Sequence, residues 1–469
     1  MDEVNAATTL YPSQLETGAL EPLQRLASMV IRPRTDNHVL QGRTLKLWSE
    51  NAASMASYRR QTRAHVRGLQ LSKIRTLVDN AYKNVPFYHE LYSACGYEAG
   101  GIRSFSDFEQ LPVVDKHILS TFDASMIVND PEALSSANTS RTSGSSGKPF
   151  TVFTDDDDIV LDHLQVMRFY SACLQRPLQE HDWIYVIHHA GLAFSSLHGA
   201  YRTFQLPDLL PDTPLGAHLL LLRPRVLVTL PSYLPLILQH KAEVQLSGVE
   251  AILTNSESST QLERAYYAKA LGIPVFDEYS SEEIGLIATQ CAHGQYHAVE
   301  DGVYLEILNA DAQGYGNVIC TDLNNELMPL IRFDHGDVAR KSDAEQCACG
   351  DSATTLLEIN GRRDDAFRTR ERKLVPSASI LAAVDDVLIT PDRTLDAFRL
   401  IQKSATTVEL LTHYIGEPHE NMDDILHRLG IRLSSLFGYA VTLLHREVDA
   451  LPEEKSYKRR SIISEWEFT

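Results

Sequence analysis

Positive charge is scarce in this sequence. Forty-three Lys and Arg stand against 62 Asp and Glu, a formal net charge of −19. That balance argues against any broad electrostatic surface for nucleic acid or for an anionic membrane. An anionic ligand would have to be met locally, by backbone donors, a few cations and a divalent metal. Long apolar runs are also missing: the most apolar stretch, Leu219 to Leu222, stops at Arg223-Pro224-Arg225, far short of the ~20 residues a spanning helix needs. The first residues, Met1-Asp2-Glu3, are acidic where a secretory leader is basic, so the expected compartment is the cytoplasm. Cysteine is sparse as well, with six residues at 95, 173, 291, 320, 347 and 349. In a large chain of this kind they are expected as reduced thiols or metal ligands, not as a disulfide framework. No internal repeat and no low-complexity tract is visible.

What is present is an ordinary globular balance, 43% hydrophobic and 22% charged over 469 residues, long enough for two or more domains. Leu71, Ile74, Leu77, Val78 and Ala81 recur at helical spacing up to Val85-Pro86, and the first ~115 residues read largely as helix. Between about 150 and 340 short apolar runs alternate with helical stretches. Trp183-Ile184-Tyr185-Val186-Ile187, Val226-Leu227-Val228-Thr229-Leu230 and Ala251-Ile252-Leu253-Thr254 have the length and β-branched content of buried strands in an α/β unit. After Gly361 the pattern changes. Ala397 to Ile401 and Val408 to Thr412 alternate like strands, Met422, Ile425, Leu426, Leu429 and Leu433 mark a helical face, and Ala440 to Leu444 suggests another strand.

The densest turn-forming run is Thr142-Ser143-Gly144-Ser145-Ser146-Gly147-Lys148-Pro149. Glycines let a backbone aim several N–H groups at one anion, hydroxyls add donors and Lys148 adds charge. The run lacks the spacing of the common P-loop, and on its own it could equally be a surface loop. Four further segments follow in order: Asp277-Glu278-Tyr279-Ser280-Ser281-Glu282-Glu283-Ile284-Gly285, Pro329-Leu330-Ile331-Arg332-Phe333-Asp334-His335-Gly336-Asp337, Gly361-Arg362-Arg363-Asp364-Asp365 and Lys455-Ser456-Tyr457-Lys458-Arg459-Arg460.

This ordered series resembles the adenylate-forming superfamily of acyl-CoA synthetases, adenylation domains and luciferases, and its phenylacetate–CoA ligase branch in particular. Val85-Pro86-Phe87-Tyr88 and Leu111-Pro112-Val113-Val114-Asp115-Lys116 are similar to that branch's N-terminal signatures. The resemblance implies an α/β fold, with an AMP-binding domain over 1–362 and a mobile α+β lid over 363–469, hinged near Asp364. It implies that Thr142, Ser143, Gly144, Ser145, Ser146, Gly147 and Lys148 hold the β- and γ-phosphates of ATP. Glu283 corresponds to the acidic residue at Mg²⁺, Tyr279 to the residue near the adenine, and Asp337 to the acceptor of the ribose hydroxyls, assisted by Arg362. Lys458 corresponds to the mobile cation that meets the substrate carboxylate and the α-phosphate, with Lys455 as its alternative in a loosely matched motif. The pattern also departs from the superfamily. Ser280 stands where glycine is usual, Glu282 where Thr or Ser is usual, and Phe333-Asp334-His335-Gly336 replaces the more frequent Tyr-Arg-Thr-Gly.

Cys291-Ala292-His293-Gly294-Gln295-Tyr296-His297 and Cys347-Ala348-Cys349-Gly350 form a second constellation. Cys291, Cys347, Cys349 and one histidine could give four ligands to a structural Zn²⁺. His297 is the better fourth ligand and His293 the substitute; the alternative is cysteines serving as small core residues. Similar Cys and His pairs occur in the phenylacetate–CoA ligase branch.

The expected activity is ATP-dependent conversion of a carboxylic acid, aromatic or arylacetic by resemblance, to its acyl-adenylate. Transfer to the thiol of coenzyme A follows. A carrier-protein phosphopantetheine or an amine as acceptor, and a degenerate nucleotide-binding protein, are the alternatives. Neither nucleic acid nor membrane is an expected partner. His188-His189 and Ser256-Glu257 are weaker candidates for the acyl and adenine pockets.

Overall fold

The computed structural model describes residues 42–44, 46–51, 61–142, 150–179, 182–187, 202–206, 215–342, 347–351, 355–389, 395–414, 421–452 and 460–466. The run from Ser143 to Pro149, His188 and His189, and both Lys455 and Lys458 lie outside the described residues. Among the described residues no helix is long and apolar enough to cross a membrane.

The helical spacing around Leu71 to Ala81 becomes the helix Arg63–Asn84, whose buried face is Val66, Gln70, Ile74, Leu77, Val78 and Ala81. Val85 takes an extended conformation (φ −102°, ψ 112°), the one that Pro86 imposes on its predecessor. Pro86 then opens a second helix, Pro86–Ala94, where its missing N–H costs nothing.

A 12-stranded sheet organises the chain from Val114 to Arg362. Arg202–Leu206, Trp183–Ile187, Val226–Thr229, Ala251–Thr254 and Val275–Ser281 lie side by side in parallel. Neighbouring side chains point to opposite faces, as the pleat requires. Ile184 and Val186 join Val160, Leu164, Met167 and Phe169 of the helix Asp156–Cys173 on one face. Tyr185 and Ile187 join Leu215, Leu219, Leu234, Tyr267 and Leu271 on the other. Trp183–Ile187, Val226–Thr229 and Ala251–Thr254 are covered on both faces, which is why they read as continuous apolar runs. From Gly285 onward the sheet turns antiparallel, through Gly285–Gln290, Tyr296–Ala298, Val303–Leu308, Gly316–Asp322, Phe333–Lys341 and Leu356–Arg362.

A separate four-stranded sheet follows, ordered Thr442–Glu447, Thr407–Tyr414, Leu395–Gln402, Ile462–Ser464. The helices Ser377–Leu388 and Met422–Phe437 pack on it around a core of their own, including Ile380, Val384, Leu400, Leu410, Leu429 and Leu433. The expected α/β body and small α+β unit are therefore both present. The last predicted strand is shifted, since pairing begins at Thr442 rather than Ala440. Contacts between the parts are made by the helix Ser377–Leu388. Thr260 caps the helix Gln261–Leu271 and donates its hydroxyl to Asp385. Gly361, at φ +84°, packs so closely on Ser377 that any Cβ there would collide with the Ser377 hydroxyl.

Candidate active site

Open α/β sheets bind ligands beyond the carboxyl ends of their parallel strands. Here Ala251–Thr254 leads into Asn255 at that edge, and Val275–Ser281 carries Asp277, Glu278 and Tyr279 there. Asp277 is structural. It accepts from Thr254 Oγ1 and Tyr296 Oη, both at 2.6 Å, and faces Arg264 at 3.7 Å. Burial nevertheless raises its pKa, with the Arg264 charge opposing. Glu278 accepts from Ser280 Oγ at 2.8 Å, and burial pushes it up to about 7.

Tyr279 is buried and donates its hydroxyl to Asp337 Oδ2 at 2.8 Å, and His335 Nε2 lies 3.3 Å from the Tyr279 hydroxyl oxygen. Asp337 pairs opposite Arg362 across the antiparallel ladder, which brings Arg362 Nε to 3.4 Å from Asp337 Oδ1. Burial works against the Arg362 charge, but Asp337, Asp365, Glu283 and Asp364 outweigh it and raise the pKa. Arg362 is thus the electrostatic hub of three of the sequence segments, and Glu283 lies within its field. Arg363 reaches back to Asp334 at 2.6 Å, and Arg460 holds Asp365 at 2.5 Å. Asp364 is exposed within a short 3₁₀ turn, Arg363–Asp365.

Glu282 and Glu283 occupy a turn between the strands Val275–Ser281 and Gly285–Gln290, not an extended segment. Alternation along a strand therefore does not separate them; the turn does. Glu283 is buried, whereas Glu282 is exposed and accepts from Ser140 on the strand Asn138–Arg141. That strand pairs antiparallel with Thr151–Thr154, and the two flank the Ser143–Pro149 run in sequence. At its neck Thr142 N donates to Phe150 O, and Phe150 N donates to Thr142 Oγ1, both at 3.0 Å. The turn needs glycine at its exit: Gly285 has φ +73°, and a Cβ there would lie 2.9 Å from the Asp162 carboxylate.

The second constellation also converges. The ligand atoms of Cys291, His297, Cys347 and Cys349 lie within 4.8 Å of one another. Cys291 Sγ is 3.6 Å from Cys347 Sγ, and Cys349 Sγ is 3.4 Å from His297 Nε2. His293 is exposed and outside the group. Burial pushes the Cys291 thiol up, yet hydrogen bonds from His297, the His293 and Gln295 backbone and Cys347 prevail, bringing it to about 6. Asp351, which sequence reasoning missed, places Oδ2 3.2 Å from His297 Nδ1, both side chains being 1% exposed. Only its position two residues after Cys349 could have hinted at that. His335, seen in the sequence as a departure, turns out to touch both Tyr279 and Asp337. Ser256 has a left-handed backbone (φ 65°), and Glu257 accepts from Ser232 N at 3.0 Å, which ties that segment to the neighbouring turn.

No family profile matches the chain. Its fold is that of the adenylate-forming CoA ligases. A 2-hydroxyisobutyryl-CoA ligase, solved in the postadenylation state in complex with 2-HIB-AMP, superposes with a TM-score of 0.70 over 86% of this chain and 91% of the other, at 18% identity. In sequence the chain is phenylacetate–CoA ligase-like. It is 26% identical over 420 residues to the phenylacetate-coenzyme A ligase of Escherichia coli (strain K12), covering 83% of this chain and 93% of that one. It is also 26% identical over 349 residues to the ligase of that name from Thermus thermophilus, covering 70% and 77% of the two chains.

Proposed function

We propose that the chain is an ATP-dependent carboxylate ligase that forms an acyl-adenylate and then passes the acyl group to the thiol of coenzyme A. The observation that carries this reading is the convergence of Tyr279, Glu283, Asp337 and Arg362 at the carboxyl edge of the parallel strands. These residues come from three separate segments, on a fold shared with CoA ligases. The phenylacetate–CoA ligases to which the chain is similar support an aromatic or arylacetic acid as substrate.

A carboxylate is a weak nucleophile that must approach a polyanion, so catalysis here is mostly positioning and electrostatics. Asp337 offers Oδ1, a buried acceptor with no hydrogen-bond partner among the described residues, to the ribose. Thr142 stands at the neck of the loop assigned to the β- and γ-phosphates, and Ser143, Gly144, Ser145, Ser146, Gly147 and Lys148 complete it. The substrate carboxylate attacks the α-phosphorus, the bond to the bridging oxygen breaks, and pyrophosphate leaves. Lys458 serves as the cation at the α-phosphate, and Lys455 is its nearest alternative. Glu283 is the residue that would hold Mg²⁺, which neutralises phosphate charge when bound. The thiolate of coenzyme A then attacks the acyl carbonyl and AMP departs. We divide the chain at 362/363 into an AMP-binding domain and a lid, with the hinge at Asp364. The cytoplasm, where ATP and coenzyme A are available, is the compartment this chemistry calls for.

Cys291, His297, Cys347 and Cys349 would hold a structural Zn²⁺. Tetrahedral coordination with bonds of ~2.3 Å to sulfur and ~2.0 Å to nitrogen sets the S–S edge at about 3.8 Å and the S–N edge at about 3.5 Å. The observed 3.6 Å and 3.4 Å fit that geometry. Asp351 against His297 Nδ1 supplies the outer carboxylate that orients such a ligand.

The test is ATP–pyrophosphate exchange across a panel of aliphatic, aromatic and arylacetic acids, followed by acceptor assays with coenzyme A, a carrier protein and amines. Exchange with no acid in the panel would overturn the reading.

A further inference from the structure

The small four-stranded sheet is completed by a crossing. Thr442–Glu447 and Ile462–Ser464, consecutive in the chain, lie on its opposite edges. The connection leaves beside Thr407–Tyr414, where Val448 N donates to Thr412 O at 2.9 Å. It arrives beside Leu395–Gln402, where Leu400 N donates to Ser461 O at 2.8 Å and Leu400 pairs with Ile462. Between these two points in sequence stand both Lys455 and Lys458.

Arg399 grips the crossing partway. Phe398 and Leu400 belong to the core under the helices, so Arg399, between them, points to the other face of the sheet. It is nevertheless only 4% exposed. Its Nη1 donates to Pro452 O and its Nε to Arg460 O, both at 3.1 Å. Those two carbonyls flank residues 453–459. Fully extended, that span could part its ends by about 29 Å, yet one guanidinium holds them side by side. Arginine suits the task because its donors sit in a rigid fork. Arg460 then sends its own side chain to Asp365, donating from Nε to Oδ1 at 2.9 Å. Asp365 closes the turn Arg363–Asp365, whose Arg363 reaches Asp334 of the large sheet at 2.6 Å. A series of ties thus runs from the neck of the lysine-bearing run to the hinge, and on to the large sheet.

We propose that Arg399 is a positioning residue for adenylation. It closes the neck around 453–459 and, through Arg460 and Asp365, fixes where the lysine of that run meets the α-phosphate. The inference rests on the reading of Lys458, or its alternative Lys455, as the adenylation cation, and both lie within the same neck. Lys458 is two residues from Arg460, so its Cα stays within ~7 Å of that anchor. Such restraint matters because misplacing a reacting group by ~1 Å can cost about 100-fold in rate.

Arg399→Met in the full chain keeps most of the buried volume while removing the charge and its donors, a replacement that folded interiors tolerate. In ATP–pyrophosphate exchange, with an acid the native protein accepts, kcat is expected to fall roughly 10- to 100-fold, with KM for ATP within about threefold. Thioester formation from pre-made acyl-AMP and coenzyme A should stay within about threefold, since it does not use that lysine. Added to Lys458→Ala, Arg399→Met should cost less than about threefold more, because a residue acting through the lysine has little further to lose. If Lys455 is the working cation, that non-additivity appears in Lys455→Ala instead. Arg460→Gln alters a side chain 30% exposed and should show the same split at smaller size, at least about threefold; it carries the test if the Arg399 variant does not fold. Unchanged exchange in a folded Arg399→Met protein overturns the proposal. Equal losses in both half-reactions, or losses that multiply with those of both lysine variants, also overturn it, since Arg399 then only stabilises the small unit. If neither Lys458→Ala nor Lys455→Ala slows exchange, the lysine reading is wrong and the inference falls with it. If one of them does while the Arg399 and Arg460 variants do not, only the positioning role falls.

Discussion

Stripping the zinc proposed at Cys291, His297, Cys347 and Cys349 should lower the melting temperature of the large-sheet unit. The four side chains tie the turn after Gly285–Gln290 and the strand Tyr296–Ala298 to the segment preceding Leu356–Arg362. Cys291 and Cys347 form a small buried cluster of their own. A ligand present at a thousand times its dissociation constant stabilises by about 4 kcal/mol. For a cooperative unit of roughly 250 residues, 1 kcal/mol moves the midpoint by about 2 °C, so removal should cost about 8 °C. The assay is elemental analysis of protein purified without chelator, with thermal unfolding followed before and after chelation and after zinc is restored. One zinc per chain and a reversible drop are expected. Absence of zinc from metal-replete protein would refute the reasoning, as would a Cys291→Ser, Cys347→Ser, Cys349→Ser triple variant that melts unchanged.

Three other outcomes are expected. Glu283→Gln should slow pyrophosphate exchange strongly and weaken its Mg²⁺ dependence, while Glu282→Gln, exposed and bonded to Ser140, should be mild; the reverse pattern would move the metal ligand one residue earlier. Lys458→Ala should cut adenylation by a few orders of magnitude, since a preorganised charge is worth ~3–4 kcal/mol, and spare thioester formation from pre-made acyl-AMP. The Lys455 variant failing instead would shift the register by three residues. Asp158 is pushed up to about 10 by burial, then by the charges of Asp322, Asp162 and Asp155. Its folded form keeps a proton that the unfolded chain gives up near pH 4, so it lowers stability as pH rises through that window. Asp158→Asn should therefore raise the melting temperature at pH 7–8, and a gain that does not shrink toward pH 4 would contradict this.

Much of the fold could be read without coordinates, because burial writes itself into periodicity. Val226 to Thr229 and Ala251 to Thr254, covered on both faces, appear as continuous apolar runs, and Arg63–Asn84 as a 3.6-residue stripe ended by Pro86. The sequence alone also placed the glycine of Gly361-Arg362 and the paired glutamates in order along the chain. What it could not supply was which oxygen of which carboxylate is free. The antiparallel register sets Asp337 opposite Arg362, a turn, not a strand, buries Glu283 and exposes Glu282, and His335 meets Tyr279 across 56 residues of chain. Asp351 reaches His297 only because the strand Tyr296–Ala298 pairs beside Leu356–Arg362. Such pairings depend on strand order and register, which come from the whole packed sheet. Local propensity is satisfied by many arrangements, and only the tertiary structure chooses among them.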